Sequence, residues 1–180
     1  MESLDVLILA VEASIALAGF AGIIATFQFT GEKEVRRGDA VGLTLILQTS
    51  LLTALTTSIA ILLNSFDIKE TTLWAICSAA AALSYAWPTY TLNNNLKGAV
   101  RTAPSKMLVV IVQVPAFALI SINVMNASGI FFHREAGPVI ATIVWVLCVA
   151  GFMFSRLLLI PVWRNVRRQE AAILAEATSV

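Results

Sequence analysis

The apolar positions of this chain fall into five long blocks, about residues 5–29, 40–65, 72–92, 107–130 and 138–163, parted by short polar connectors. Each block meets the roughly 20 predominantly apolar residues that a helix needs to cross the hydrocarbon of a bilayer. The connectors at 30–39, 66–71, 93–106 and 131–137 are too short to be domains of their own. The pattern predicts an all-α, polytopic membrane helix bundle. Five transmembrane helices occupy residues 1–163, and a short amphipathic tail follows over residues 164–180.

Composition turns this from one option into a class. Of 180 residues, 58% are hydrophobic and 13% charged, whereas about a quarter of a soluble domain is charged. The residues ahead of the first block, Met1 to Asp5, carry no positive charge, which favours a span over a secretory signal.

Charge sets an expected orientation. Lys33, Arg36 and Arg37 follow the first span, Lys97, Arg101 and Lys106 the third, and Arg164, Arg167 and Arg168 the fifth. The alternate connectors hold only Lys69 and Arg134. Because cytoplasmic loops collect Lys and Arg, the N-terminus is expected outside and the C-terminus in the cytoplasm.

The spans are more polar than lipid requires. The first carries Glu12 and a ladder of small residues, Ser14, Ala18, Gly22 and Thr26, at intervals suited to close helix approach. The second carries Gln48, and Thr49, Thr53, Thr57, Ala60 and Asn64 share a face. The fourth sets Gln113, Ala116, Ile120 and Asn123 on one face, which Pro115 bends. The fifth holds Arg156 near its cytoplasmic end. Hydroxyls and amides of this kind bond back to their own helix or across to a neighbour; the same faces also suit a hydrated pathway, and the pattern leaves both open. Glu12 and Arg156 each lie roughly 10 Å inside a boundary, with their pairing undecided. Arg156 also has the option of snorkelling to phosphate.

The third span places Trp74 near one interface and Trp87 with Tyr90 near the other, around a narrow Cys77–Ala82 middle expected near the bundle centre. Pro88 is expected to kink or end it, and Asn93-Asn94-Asn95 to open a loop. The fifth is expected to end at Pro161-Val162-Trp163. The tail, with Val166, Ile173 and Leu174 behind its arginines, suits a short helix on anionic lipid. Asn126-Ala127-Ser128 matches the glycosylation pattern only by chance, at a span end.

Known chemistries lack their residues. Cys77 and Cys148 lie inside apolar spans and His133 is the single histidine, so neither a metal site nor any other cofactor is expected. There is no Gly-rich phosphate loop and no nucleophile motif, and all four lysines lie in connectors. Neither catalytic residues nor a nucleic-acid surface are expected.

The run Leu17–Ile24 (L-A-G-F-A-G-I-I) with its upstream carboxylate, the Arg36-Arg37 pair, and the stretch from Trp145 to Leu159 with F-S-R-L-L-L resemble small polytopic bacterial membrane proteins that have no assigned activity. The resemblance implies a bacterial inner (cytoplasmic) membrane location and supplies no site residues. From the residues themselves, the buried polar set Glu12, Gln48, Thr53, Gln113, Asn123 and Arg156 suggests a homo-oligomeric channel or transport pore for a small polar solute or ion. The alternative is a non-catalytic accessory or scaffold subunit that meets a membrane protein partner through its small-residue faces.

Overall fold

Five helices carry the chain: α1 (Ser3–Thr30), α2 (Arg37–Asn64), α3 (Glu70–Leu96), α4 (Ala103–Ser128) and α5 (Gly137–Thr178). They belong to a computed structural model that describes residues 3–30, 37–66, 68–96 and 103–178. Lys33, Arg36, Lys97 and Arg101, four of the orienting cations, lie outside the described residues, as do the side chains of residues 28–30, 37–39, 92–93, 95–96, 103–108, 160–168 and 171–178.

Two apolar clusters fix how the helices run. At one end, Leu7 and Ala10 of α1 pack with Ala60 of α2, Leu73, Trp74 and Cys77 of α3, and Val139 and Ile143 of α5. Towards the other, Ala21 of α1 meets Leu43 and Ile46 of α2 and Leu157 of α5. The N-terminal halves of α1, α3 and α5 thus share one end with the C-terminus of α2. Asn126 bonds to Ser78 and Gln113 to the Thr89 carbonyl, so α4 runs antiparallel to α3. The result is an up-and-down bundle, as short connectors dictate.

Among the described residues four helices hold a stretch long and apolar enough to cross a membrane: Ser3–Phe27, Ala40–Asn64, Val109–Ser128 and Gly137–Leu159. α3 is of similar length, but serine, threonine, tyrosine and tryptophan dilute its apolar run. It lies against α2, α4 and α5.

The inward seams repeat at three and four residues. On α1 the seam is Leu7, Ala10, Ser14 and Ala21; on α2 it is Leu43, Ile46, Ser50, Thr53, Thr57 and Ala60. This is the spacing that keeps one stripe turned to a neighbour. α2 packs against α1, α3 and α5 and is the most enclosed of the apolar spans.

Three sequence expectations change. α3 passes through Pro88 to Leu96, so Asn93–Asn95 are helical rather than the start of a loop. A proline removes one ladder bond, and a helix packed against neighbours tolerates that loss. By the same logic α5 does not stop at Pro161–Trp163; it continues unbroken to Thr178. At about 1.5 Å per residue its 42 residues reach far beyond a 30 Å hydrocarbon layer. Trp74 is not an interfacial ring: it is buried in the first cluster, its indole N–H donating to Glu70 Oε1 at 3.4 Å. Trp87 and Tyr90 are exposed.

Candidate membrane-embedded polar site

The six polar residues singled out in the spans divide into an inner and an outer group. Thr53, Gln113 and Asn123 are buried; Gln48 is half-buried; Glu12 and Arg156 are exposed on the outside of the bundle.

The inner group is cross-linked by hydrogen bonds. Thr53 Oγ1 donates to its own helix at the Thr49 carbonyl, 2.8 Å, so the 2.9 Å bond to Tyr85 has the tyrosine hydroxyl as donor. Asn123 Nδ2 meets three acceptors, Thr142 Oγ1 at 2.6 Å, the Leu119 carbonyl at 2.8 Å and the Pro138 carbonyl at 3.4 Å, with two hydrogens to give. Its Oδ1 is buried and receives nothing. Gln113 Nε2 reaches the Thr89 carbonyl at 3.4 Å. Asn126 is fully satisfied: Nδ2 gives one hydrogen to Ser78 Oγ at 2.7 Å and one to the Glu135 carbonyl at 2.8 Å, while Oδ1 accepts from Glu135 N–H at 3.1 Å. Such a side chain is no glycosylation acceptor.

Ser14, Thr49, Thr56, Thr57 and Thr142 all donate to carbonyls of their own helices. These five hydroxyls therefore bond to the backbone ladder, whereas Ser50 Oγ, fully buried, has no partner among the described residues. Each interhelical bond is worth roughly 0.6 kcal/mol in a membrane bundle.

Sequence reasoning missed Tyr85, Ser78 and Thr142 as partners. The signal was present in part: Ser78 and Tyr85 lie seven residues apart and so share a face of α3.

Among the described residues the backbones of α2 and α4 stand apart, and with the helices that flank them they leave a cavity of about 60 Å³. Leu45, Tyr85, Gln113, Ala116, Thr142 and Trp145 are among its lining residues.

Glu12 sits on a face of α1 that none of the described residues covers. Asp5, Ile8, Glu12, Ile15, Ala16, Gly19, Ile23 and Phe27 of α1 are exposed along one stripe. Of the small-residue ladder only Ser14 is buried; Ala18 and Gly22 are half-buried and Thr26 is exposed. Four residues turn a helix through about 400°, so a strict four-residue ladder drifts out of any one interface. A Cβ added at Gly19 or Gly22 would meet no atom within 4 Å.

Glu12 and Arg156 do not pair within the chain. Phe20 and Phe154, with ring centroids 6.1 Å apart, set the register of the parallel helices α1 and α5. Glu12 lies eight residues before Phe20 and Arg156 two after Phe154, an axial separation of about 15 Å at 1.5 Å per residue. That exceeds the joint reach of the two side chains.

No family model, curated protein or solved structure matches this chain.

Proposed function

We propose that the protein works in the membrane as a homo-oligomer, packed through the outer face of α1, with Glu12 beside the axis between copies and a small polar solute or ion passing there. All five helices cross the bilayer in this reading, with the N-terminus outside and the C-terminus in the cytoplasm of a bacterial inner membrane. The nine-to-two division of connector and tail cations supports that orientation.

One observation carries the reading: Glu12, roughly 10 Å inside the boundary of the first span, is exposed and has no partner among the described residues. A carboxyl group at that depth demands water, a proton or a partner. Most inner polar hydrogens go to one another or to the backbone, although Ser50 Oγ and Asn123 Oδ1 lack a partner among the described residues; the exposed Glu12 face is the better supported route. The conduit therefore belongs between copies, where symmetry brings several Glu12 side chains to one axis.

The second reading is an accessory subunit with no pore, favoured by the open space over Gly19 and Gly22, which admits a foreign helix as well as a copy. Purified protein in phosphatidylcholine vesicles, assayed for ion flux with and without Glu12→Gln, separates the two. Flux in the native chain that changes with the substitution supports the conduit. Background flux in both, with a foreign subunit co-purifying in fixed ratio, supports the accessory role.

A further inference from the structure

Arg156 is a cation set on an apolar face. It is exposed on α5, and so are Phe152, four residues earlier, and Leu159, three later, which share its side of the helix. It has no ion pair or hydrogen bond among the described residues. Of the described carboxylates, Asp5, Glu70 and Glu135 lie at the end marked by Leu7, Leu73 and Val139, whereas Leu157, next to Arg156, belongs to the other cluster. Glu12 is about 15 Å away along the axis and Glu170 about 21 Å along α5.

Depth puts this cation near an edge of the bilayer. The polar run His133-Arg134-Glu135 stops just before Gly137, so α5 enters the hydrocarbon there. From Gly137 to Arg156 is about 28 Å at 1.5 Å per residue, close to the full thickness of a 30 Å layer. Because α5 continues past Trp163, its apolar run does not mark that edge. A guanidinium at this level reaches lipid phosphate.

A second helix brings a second cation to the same level. The bond from Asn123 Nδ2 to Thr142 Oγ1 sets the antiparallel register of α4 and α5. Arg156 comes fourteen residues after Thr142; fourteen before Asn123 is Val109, and Lys106 is one turn beyond it on the α4 backbone. Lys106 also precedes Gln113 by seven residues, and Arg156 follows Val149 by seven. Seven residues return a helix to within about 20° of the same side. The two positions therefore lie on the sides of α4 and α5 that border the cavity, since Gln113 and Val149 line it.

We propose that Arg156 and Lys106 bind the phosphate of an anionic phospholipid in the leaflet at this end of the bundle, at the cleft between α4 and α5. Like charges at one level repel unless an anion stands with them. Phe152 and Leu159 make the bilayer its source: a dissolved phosphate would shed water against carbon to arrive there, while a lipid phosphate is held at that depth already. A zwitterionic lipid gains less from the pair, because it carries its own ammonium.

The unaltered chain, purified in mild detergent, is offered equimolar phosphatidylglycerol and phosphatidylcholine and weighed intact. Phosphatidylglycerol should be retained in preference by about fivefold or more, the worth of one basic residue near an anionic surface. Arg156→Gln combined with Lys106→Gln should lower that preference about fivefold. Arg164→Gln, Arg167→Gln and Arg168→Gln together, which strip the tail and leave the pair, should keep it. Excess inorganic phosphate should displace nothing. Equal retention of the two lipids by the unaltered chain overturns the proposal, whether or not any variant folds. An unchanged preference in the double variant, its loss with the tail arginines alone, or displacement by inorganic phosphate overturns it too.

Discussion

Asn126, in the last turn of α4, and Glu135, just ahead of α5, are joined by two hydrogen bonds that use both ends of the asparagine amide: 2.8 Å to the Glu135 carbonyl and 3.1 Å from its N–H. The same side chain also holds Ser78 of α3 at 2.7 Å. One fully buried amide therefore closes the α4–α5 connection and ties it to a third helix. Asn123, one turn earlier, is equally buried, but its oxygen has no donor. The two asparagines should differ in what they contribute. Asn126→Leu is expected to destabilise by about 2–3 kcal/mol, since it strips the buried Ser78 hydroxyl of its partner and removes both bonds to Glu135. Asn123→Leu should cost less than about 1 kcal/mol, because it removes an orphan acceptor along with its bonds. Reversible unfolding in mixed micelles, followed by circular dichroism, measures both.

The same connection carries unusual backbone. His133 and Arg134 have φ of 49° and 61°, and Gly129 has φ of 76°. A Cβ at Gly129 would stand 3.2 Å from Arg134 Nε. Gly129→Ala should therefore lower stability by about 1–2 kcal/mol, the cost of a left-handed conformation for an L-residue. Gly151→Ala, in the middle of α5 where a Cβ meets nothing within 4 Å, should raise it by about 0.5–1 kcal/mol through helix propensity. The sign difference between two glycine-to-alanine changes, read in the same unfolding assay, is the check.

Tyr85 and Thr53 tie α3 to α2 through a single hydroxyl pair. Tyr85→Phe and Thr53→Val, taken singly and together, should show a coupling of about 0.6 kcal/mol and no more than about 1.7 kcal/mol, the range of such bonds in membrane bundles. A coupling near zero in this double-mutant cycle would mean that the pair is not formed in the folded protein.

The helices were legible in the sequence because length and apolarity alone decide what crosses a bilayer. Partner choice was harder to read. The face Gln113–Ala116–Ile120–Asn123 does turn inward, since amides at three- and four-residue intervals share a side. The small ladder on α1 was legible only in part: Ser14 turns into this bundle, while Ala18, Gly22 and Thr26 turn progressively outward because four-residue spacing drifts around the helix. Trp74 looked interfacial by its distance from Trp87, yet whether a ring faces lipid or core depends on rotation about the helix axis, which spacing along the chain does not give. Glu12 was expected to turn inward with the other polar groups. Its position on the outside of one chain moves the question to what lies beside that chain. The prolines were overrated as terminators, since Pro88 and Pro161 lie within unbroken helices.

Self-association through α1 is tested most directly by cysteine cross-linking in native membranes. Cys77 and Cys148 are first replaced by Ala, and a single cysteine is placed at Gly19, on the outer stripe of α1, or at Leu83, exposed on α3. From the first apolar cluster, Leu83 lies at nearly the depth of Gly19, on a helix whose backbone stands apart from that of α1 among the described residues. Oxidation of Gly19→Cys should give a covalent dimer of this chain in high yield, while Leu83→Cys stays monomeric. Gly19→Cys remaining monomeric, or cross-linking only to a different polypeptide, would contradict the account.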